Sequence, residues 1–402
     1  MPRVAVVTSR LDVGGTEHHL LRVLPALKQR GIDVMLYAME RGGALEAELI
    51  GRGVRVEGPE RKRFMHWPRA ARALAGFLRR ERPTVVHFFL PRPYIYGSIA
   101  AELARHRRRL ISRRSLSDYQ ANYPLSGVLE RLLHKRTAGL IGNSRAVLEQ
   151  LRAEVGEPEK VALIYNGIEL PPQIGPSERQ ALREKLQLPS DTLAIAVVAN
   201  LIAYKGHRDL IAALARIHVR LPPWRLLVVG RDDGLGDELR RQAETLRIAH
   251  NVLWLGERAD VGRLLAASDI FVLPSHQEGF SNALLEAMAA KVAVIATAVG
   301  GNVDAVVDNE TGLLSPPNDP PLLAANILRL ANDGALRHRL AEAAQRRVQE
   351  RFALQSCLDR YERLYREMSE PTPPPVRVIL ADCESGTTSG DGKNVIAVDR
   401  AL

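Results

Sequence analysis

The sequence has 402 residues, which is enough for two or three domains with a core each. Hydrophobic residues make up 46% and charged residues 25%, a balance that excludes disordered and collagen-like chains. The two cysteines are too few for a disulfide framework or a cysteine-based zinc site. Residues 1–172 hold 29 Lys and Arg against 17 Asp and Glu, whereas residues 173–402 hold 27 against 29. The net charge of +10 therefore comes from the first half, which indicates an anionic partner there: nucleic acid, a membrane surface or a phosphorylated substrate.

The start of the chain carries no recognisable targeting segment. The apolar run at residues 4–7 is too short for the core of a signal peptide. No stretch of about 18 apolar residues occurs, so we expect no transmembrane helix. These features predict a cytoplasmic protein, with peripheral contact to the inner face of the membrane left open.

Short apolar runs alternate with segments of helical periodicity along the first half of the chain. The predicted strands are residues 4–8, 34–38, 54–56, 85–89, 110–112, 140–142 and 161–165. Helical patterns lie between them, as at residues 17–30 and 67–80. This alternation predicts a parallel sheet covered by helices on both faces.

Prolines and glycine at residues 171–176 interrupt this alternation, which then restarts. The predicted strands of the second half are residues 193–199, 226–230, 252–255, 270–273 and 292–297. We therefore expect two doubly wound α/β domains, at residues 1–170 and 178–350. Residues 351–368 predict a last helix that packs back on the first domain. Residues 371–402 open with four prolines and predict an extended or disordered tail with a short strand at 376–380.

Polar and glycine-rich residues follow the predicted strands of the first domain, at the edge where open parallel sheets bind ligands. Gly14, Gly15 and Thr16 lie between the first strand and the first helix, where a backbone can approach a phosphate; a plain tight turn is the alternative. His87 ends the fourth strand, either as a core histidine or as a hydrogen-bonding group in a cleft. Dinucleotide-binding and P-loop glycine motifs are absent, which disfavours a nicotinamide enzyme.

The second domain has corresponding residues after its strands. Asn200 and Lys205 follow the first of them, and Arg231 follows the second. Lys205 precedes a glycine where a loop meets a helix, so its ammonium can reach a diphosphate as a point charge. The alternative is an ordinary solvated lysine at a helix start.

Two glutamates, Glu278 and Glu286, form the most informative pair. Ser281 is the predicted N-cap of the helix that carries Glu286, so Glu278 lies in the preceding loop. The backbone N–H groups of Gly279, Phe280 and Ser281 are then free of helical partners. Such a site offers carboxylates to sugar hydroxyls and amides to phosphate oxygens.

With these motifs the sequence resembles the retaining glycosyltransferases of family 4, over nearly all of the chain to about residue 368. Residues 274–290, PSHQEGFSNALLEAMAA, resemble the family's signature of two glutamates separated by seven residues. Asn-Gly-Ile at residues 166–168, the glycine loop at Gly15, His87 and the Lys-Gly pair at Lys205 also match. The resemblance implies the GT-B fold, in which two Rossmann-like domains face a central cleft.

The resemblance implies a role for each residue of the signature. Glu286 would hold the ribose of a nucleotide-sugar donor, and Glu278 would contact the donor sugar. Gly279, Phe280 and Ser281 would present backbone amides to the sugar and its phosphates.

Residues outside the signature receive roles in the same way. Lys205 would neutralise the diphosphate leaving group, Gly15 would approach it from the first domain, and His87 would contact the sugar near the reacting carbon. Many family members have an Arg five residues before the Lys, where this chain has Asn200. We expect Arg231 to supply the missing charge.

The implied reaction moves a glycosyl group from a UDP- or GDP-sugar to a hydroxyl, with retention of the anomeric configuration. The acceptor would be a glycan or a lipid-phosphate-linked molecule held on the first domain, in cell-envelope polysaccharide synthesis. The family route is front-side attack, which needs neither a metal nor a cofactor besides the donor.

Two other functions stay open on the sequence alone. The GT-B fold also serves sugar-nucleotide epimerases. The arginines of residues 105–109 and 113–114 favour nucleic-acid binding, but no nucleic-acid module is recognisable, so we expect none. For the basic half we expect contact with an anionic membrane, through apolar and basic residues at helical spacing in 64–80, or else an arginine-rich solvated surface.

Overall fold

A computed structural model describes residues 1–60, 67–117, 124–172 and 174–380, which form two parallel β-sheets. The first sheet consists of β1 (Arg3–Thr8), β2 (Asp33–Ala38), β3 (Arg55–Glu57), β4 (Val85–Phe89), β5 (Arg109–Arg113), β6 (Gly139–Gly142) and β7 (Val161–Leu163). The second sheet consists of β8 (Leu193–Val198), β9 (Trp224–Val229), β10 (Val252–Gly256), β11 (Ile270–Leu273), β12 (Ala293–Thr297) and β13 (Leu313–Ser315). The twelve predicted strands are confirmed, and β13 was not foreseen.

Helices connect the strands and cover the faces of the sheets. Those of the first domain are α1 (Gly15–Gln29), α2 (Glu46–Gly51), α3 (Trp67–Glu81), α4 (Pro91–Leu103), α5 (Pro124–His134) and α6 (Arg145–Val155). Those of the second are α7 (Pro176–Lys185), α8 (His207–Ile217), α9 (Gly236–Thr245), α10 (Val261–Ala267), α11 (Asn282–Ala289), α12 (Asn302–Ala305), α13 (Pro320–Asn332) and α14 (Gly334–Arg351). The C-terminal pair is α15 (Leu354–Glu367) and α16 (Val376–Ile379). None of these helices is long and apolar enough to cross a membrane.

The strand order explains where a ligand can bind. The first sheet runs β3-β2-β1-β4-β5-β6-β7 and the second β10-β9-β8-β11-β12-β13. Successive strands are therefore added first toward one edge of each sheet and then toward the other. The change occurs once in each sheet, between β1 and β4 and between β8 and β11. Helices leave on opposite sides at such a switch point, which opens a crevice at the carboxyl ends of the strands. The predicted α/β class with two doubly wound, Rossmann-like domains is confirmed.

The chain crosses between the domains twice, and the two crossings lie side by side. Ile168 donates its N–H to the carbonyl of Phe352 (2.9 Å), and Leu354 donates to the carbonyl of Ile168 (2.9 Å). After the second crossing, α15 packs on α1 and buries Tyr361 and Tyr365 in the core of the first sheet. The end of the described chain thus belongs structurally to the first domain.

Two predictions concern segments that pack on the first sheet, and one of them is wrong. Residues 376–379 form the helix α16 and not a strand: the backbone N–H groups of Val378 and Ile379 bond to the carbonyl of Pro375, and Val376 is fully buried against Gly139. The amphipathic segment predicted to meet a membrane includes α3, whose apolar residues Leu74 and Phe77 are buried on the sheet; membrane contact of residues 64–80 stays a prediction. Residues 61–66 and 381–402 lie outside the described structure.

Candidate active site

The glycine loop of the first domain and the glutamate signature of the second meet across the crevice. Gly14 is extended and precedes α1, so Gly15 and Thr16 begin that helix with N–H groups that have no partner inside it. Asn282, the first residue of α11, donates its side-chain N–H to the carbonyl of Gly15 at 3.0 Å. Both motifs therefore lie at one edge, as their positions after β1 and β11 predict.

Lys205 and Glu278 form an ion pair in the second domain. The Nζ of Lys205 lies 2.6 Å from Oε1 of Glu278, and Ser275 donates its hydroxyl to the same oxygen at 2.8 Å. Burial disfavours the ammonium of Lys205, but the charge and hydrogen bond of Glu278 outweigh it and raise the pKa of Lys205. Within the described residues Oε2 of Glu278 accepts no hydrogen bond, so this oxygen is available to a ligand.

The amino end of α11 provides backbone donors beside this pair. Ser281 caps the helix as predicted, and its Oγ accepts the N–H of Leu284 at 3.3 Å. The ring of Phe280 is buried between Tyr165 and Phe352, with ring centroids 5.1 and 5.3 Å away. Phe280 thus holds the loop in place through its ring, and only its backbone is offered to the crevice.

Gly279 lies at a close approach of the two domains. A Cβ at this residue would overlap the carbonyl oxygen of Arg114 and lie 3.1 Å from Cα of Ser115, which follow β5 in the other domain. A side chain at position 279 would therefore hold the domains apart, and glycine is required here by space.

Glu286 lies one turn further along α11 and pairs with a residue of the first domain. The Nη2 of Arg22, on α1, lies 2.5 Å from Oε1 of Glu286, and both side chains are about one quarter exposed. The carboxylate predicted to hold ribose is therefore at the crevice, with a cation beside it. Sequence reasoning missed Arg22, because its partner is brought to it only by tertiary structure.

A second polar network joins the domains deeper in the crevice. Asn166 donates to Oδ1 of Asn282 at 2.7 Å and to the carbonyl of Phe280 at 3.2 Å. Its own Oδ1 accepts a hydrogen bond from Arg114 at 2.6 Å. Burial lowers the pKa of Arg114, and hydrogen bonding to Tyr361 acts in the opposite direction. Arg114 is a cation of the crevice that the sequence analysis did not assign.

Asn200 and Arg231 lie beyond the ends of β8 and β9, as predicted. Asn200 accepts the backbone N–H of Arg231 at 3.3 Å and donates to Asp233 at 3.2 Å. The guanidinium of Arg231 is paired with Asp233 at 2.7 Å. A ligand that recruits Arg231 must therefore share it with Asp233.

The prediction that His87 contacts the sugar is not met by this structure. Strand β4 continues to Phe89, so His87 lies inside the strand and is fully buried. Its Nδ1 pairs with the hydroxyl of Tyr365 (2.8 Å) and its Nε2 with the hydroxyl of Ser112 (2.9 Å). Burial, together with the charge of Arg114, lowers the pKa of His87 to about 3. This neutral ring belongs to the core beneath the crevice.

One cluster of the described residues has the spacing of a metal site: Glu130, His134 and Glu154. The guanidinium of Arg113 already lies between its carboxylates, 2.8 Å from Glu130 and 2.6 Å from Glu154. Burial opposes ionisation of Glu154, but hydrogen bonds from His134 and Arg113 outweigh it and lower its pKa to about 2. Arg113 supplies the cation, and the cluster anchors α5 to β5.

Comparisons with known proteins agree with this architecture. The model of Glycosyltransferase Family 4 matches residues 13–170, and that of Glycosyl transferases group 1 matches residues 178–347. The lipopolysaccharide core biosynthesis glycosyltransferase LpsE of Rhizobium meliloti (strain 1021) is 27% identical over 364 residues, 87% of this chain and 94% of LpsE. The capsular polysaccharide biosynthesis glycosyltransferase CapM of Staphylococcus aureus is 26% identical over 295 residues, 71% and 77% of the two chains. The structure of Anabaena Alr3699/HepE in complex with UDP and glucose superposes with a TM-score of 0.80 at 23% identity, over 90% of this chain and 98% of that one.

The fold and the family matches thus define a glycosyltransferase of the two-domain GT-B class. The two family matches together span most of the chain, with the boundary between them at the interdomain linker. The chain belongs to the GT-B glycosyltransferases of family 4, as the sequence motifs predicted.

Proposed function

We propose that this protein transfers a sugar, with retention, from a UDP- or GDP-sugar to a hydroxyl of a glycan or a lipid-phosphate-linked acceptor. The observation that carries the proposal is the pair of Lys205 and Glu278 at the amino end of α11, opposite the glycine loop of the other domain. An ammonium, uncommitted amides and carboxylates in one crevice match the groups of a sugar diphosphate.

The donor is proposed to lie along the start of α11. Glu286 accepts hydrogen bonds from the ribose, and Oε2 of Glu278 accepts one from a sugar hydroxyl. The amides of residues 279–281 face the sugar and its phosphates, while those of Gly15 and Thr16 approach the diphosphate from the first domain. Many family members have an Arg at the position of Asn200. In this chain Arg231 takes over its charge, which it shares between Asp233 and the donor.

Catalysis is then mainly stabilisation of the leaving group and positioning of the reactants. As the bond from the anomeric carbon to the phosphate oxygen breaks, Lys205 and the amides of α11 stabilise the charge on the diphosphate. The acceptor hydroxyl attacks from the same face, and the departing phosphate oxygen takes its proton. Glu278 suits sugar binding better than nucleophilic attack, because its Oε1 is held by Lys205 and Ser275.

The acceptor is proposed to enter on the side of the first domain, where the excess of 12 positive charges lies. LpsE and CapM carry names that refer to lipopolysaccharide core and capsular polysaccharide. We extend this to a role in cell-envelope glycan synthesis, performed by a cytoplasmic protein at the inner face of the membrane.

Two substitutions test the assignment of the donor site. Lys205→Ala should lower nucleotide-sugar turnover about 100-fold, the cost of removing one preorganised donor from a developing anion. Glu286→Ala should mainly raise the KM for the donor, because it removes a ribose contact. Exposed Lys185→Ala and Glu350→Gln in the same domain are matched controls and should leave turnover unchanged. Wild-type turnover in both site variants, with the fold retained, would overturn the assignment.

The stereochemical course needs a separate measurement. Slow hydrolysis of a panel of UDP- and GDP-sugars identifies the donor, and proton NMR of the first sugar released reports its anomeric configuration. Retention supports the proposal, whereas inversion contradicts it. Conversion of one nucleotide sugar into its epimer without an acceptor would instead identify an epimerase.

A further inference from the structure

Helix α5 (Pro124–His134) presents its apolar side to solvent. Leu125 is 84% exposed, Val128 49%, Leu129 38% and Leu132 57%. Residues three and four positions apart share one face of a helix, so these four side chains form a continuous stripe. A helix on the surface of a globular protein normally turns such a stripe toward the core.

The opposite face of α5 is buried and polar, which fixes this orientation. Glu130 and His134 are fully buried. Glu130 pairs with Arg113 at 2.8 Å, and Nδ1 of His134 pairs with the hydroxyl of Tyr94 at 2.9 Å. Turning the leucines inward would break the pairs of Glu130 with Arg113 and of His134 with Tyr94, and would leave Arg113 with Glu154 as its remaining carboxylate partner. Loss of these buried hydrogen bonds costs free energy. The outward stripe is therefore built into the fold.

The exposed charges on α5 and in the two residues after it have one sign. Arg131 and Lys135 are exposed and have no charged partner among the described residues. Arg136 lies 3.6 Å from Glu102, a loose pair that leaves most of its side chain exposed. The one acidic residue between 125 and 136, Glu130, is buried. The surface of α5 thus combines apolar and cationic groups, which complements an anionic amphiphile.

We propose that α5 docks this protein on an anionic lipid surface, with its leucines among the lipid chains and its cations at the phosphates. The inference rests on the proposed function, which places the acceptor on the first domain and at the membrane. Helix α5 follows β5, so Leu125 lies toward the carboxyl edge of the sheet, where Gly15 and Arg114 line the crevice. Docking through α5 brings that edge to a membrane-borne acceptor.

The size of the stripe favours lipid over a second copy of the chain. Eleven residues of helix span about 16 Å, and one face of such a helix offers a few hundred Å². A stable dimer buries about 800 Å² on each partner. Lipid insertion has no such threshold, because apolar side chains and cations each add to membrane affinity.

The test is flotation of the full chain with vesicles of equimolar phosphatidylglycerol and phosphatidylcholine, compared with phosphatidylcholine alone. Leu125→Gln with Leu132→Gln should weaken binding to the anionic vesicles at least tenfold. Arg131→Gln with Lys135→Gln should weaken it about fivefold for each charge. The matched control is Val219→Gln, an 80% exposed apolar residue of the second domain, which should bind as the wild type does.

Each outcome decides the matter. Undiminished binding by the leucine variant, or equal wild-type binding to both kinds of vesicle, would overturn the proposal. A wild-type dimer in sedimentation that the leucine variant converts to a monomer would overturn it in favour of a second copy. Donor hydrolysis without vesicles should be unchanged in the leucine variant. A chain that docks through α5 but never turns over nucleotide sugars would refute the proposed function and leave the docking surface standing.

Discussion

Substitution of Gly279 by alanine tests whether the observed approach of the two domains is the catalytic arrangement. The added Cβ would overlap the carbonyl oxygen of Arg114 and lie 2.8 Å from its carbonyl carbon. Carbon atoms pack at about 3.5–4.0 Å, so the loop and the end of β5 must separate by roughly 1 Å. Both are backbone, and neither can turn away as a flexible side chain would.

A misplacement of about 1 Å costs roughly 100-fold in rate when reacting groups must be aligned, which corresponds to about 2.7 kcal/mol in the activation free energy. Gly279→Ala should therefore lower kcat for glycosyl transfer by about that factor. Calorimetric binding of the nucleotide should change less than kcat, because the proposed contacts of Glu286, Lys205 and Arg231 lie in the second domain and do not depend on the approach to β5.

The matched control is Gly262→Ala, on α10 of the same domain, where an added Cβ meets no atom within 4 Å. This variant should transfer sugar at the wild-type rate and unfold at the same or a higher temperature. Wild-type kcat in Gly279→Ala would refute the reasoning, since the domains would then react without the approach seen here. Loss of nucleotide binding would place the defect in the loop and not in domain closure.

Three further predictions concern single contacts. Arg22→Ala frees Glu286 from an ion pair that is partly exposed and worth at most about 1 kcal/mol, so the donor Kd should fall two- to fivefold by calorimetry; weaker binding would mean that Arg22 itself contacts the donor. Glu154→Gln should lower the free energy of unfolding by about 3 kcal/mol near neutral pH, because the folded pKa is about 2 against 4.5 unfolded. That stability is present above pH 4.5 and is lost as the pH falls toward 2. A loss of stability in Glu154→Gln that does not depend on pH would therefore contradict the lowered pKa of Glu154. Ser281→Ala should destabilise the second domain by about 1 kcal/mol through loss of the cap on Leu284, and Ser281→Thr should restore most of it in thermal unfolding.

The fold was predictable because its signals are local. Each strand buried on both faces appears as a short run of apolar residues, and the helices between them repeat every three to four residues. Strand β13 escaped because it has three residues at the edge of the sheet, too few to show a period. The helix at 376–379 was mistaken for a strand because its burial depends on the space beside Gly139, in a sheet far away in sequence.

The site was predictable to the extent that its parts are contiguous. Loop, cap and helix from Glu278 to Glu286 lie within nine residues, so their arrangement follows from the cap alone. His87 was assigned to the cleft although it lies inside the predicted strand 85–89, where it is fully buried. The rule that ligand-binding residues follow the carboxyl ends of strands, applied to β5, leads to Arg114, which lies directly after that strand. Arg22 could not be found this way, because it acts only through the approach of α1 to α11.

The contacts that close the crevice fall into two kinds with different consequences. On one side, Phe280 packs with aromatic rings, and the backbone N–H of Arg145 reaches Asp304 at 2.6 Å; these contacts are buried or short and hold the domains at their connection. On the other side, Arg22 with Glu286 and Asn282 with Gly15 are polar pairs that are at least partly exposed. Hydroxyl and phosphate groups can replace such pairs at little cost, because they satisfy the same donors and acceptors. The donor would therefore substitute for the polar contacts one by one while the aromatic side stays closed, so binding requires a small opening and not a separation of the domains.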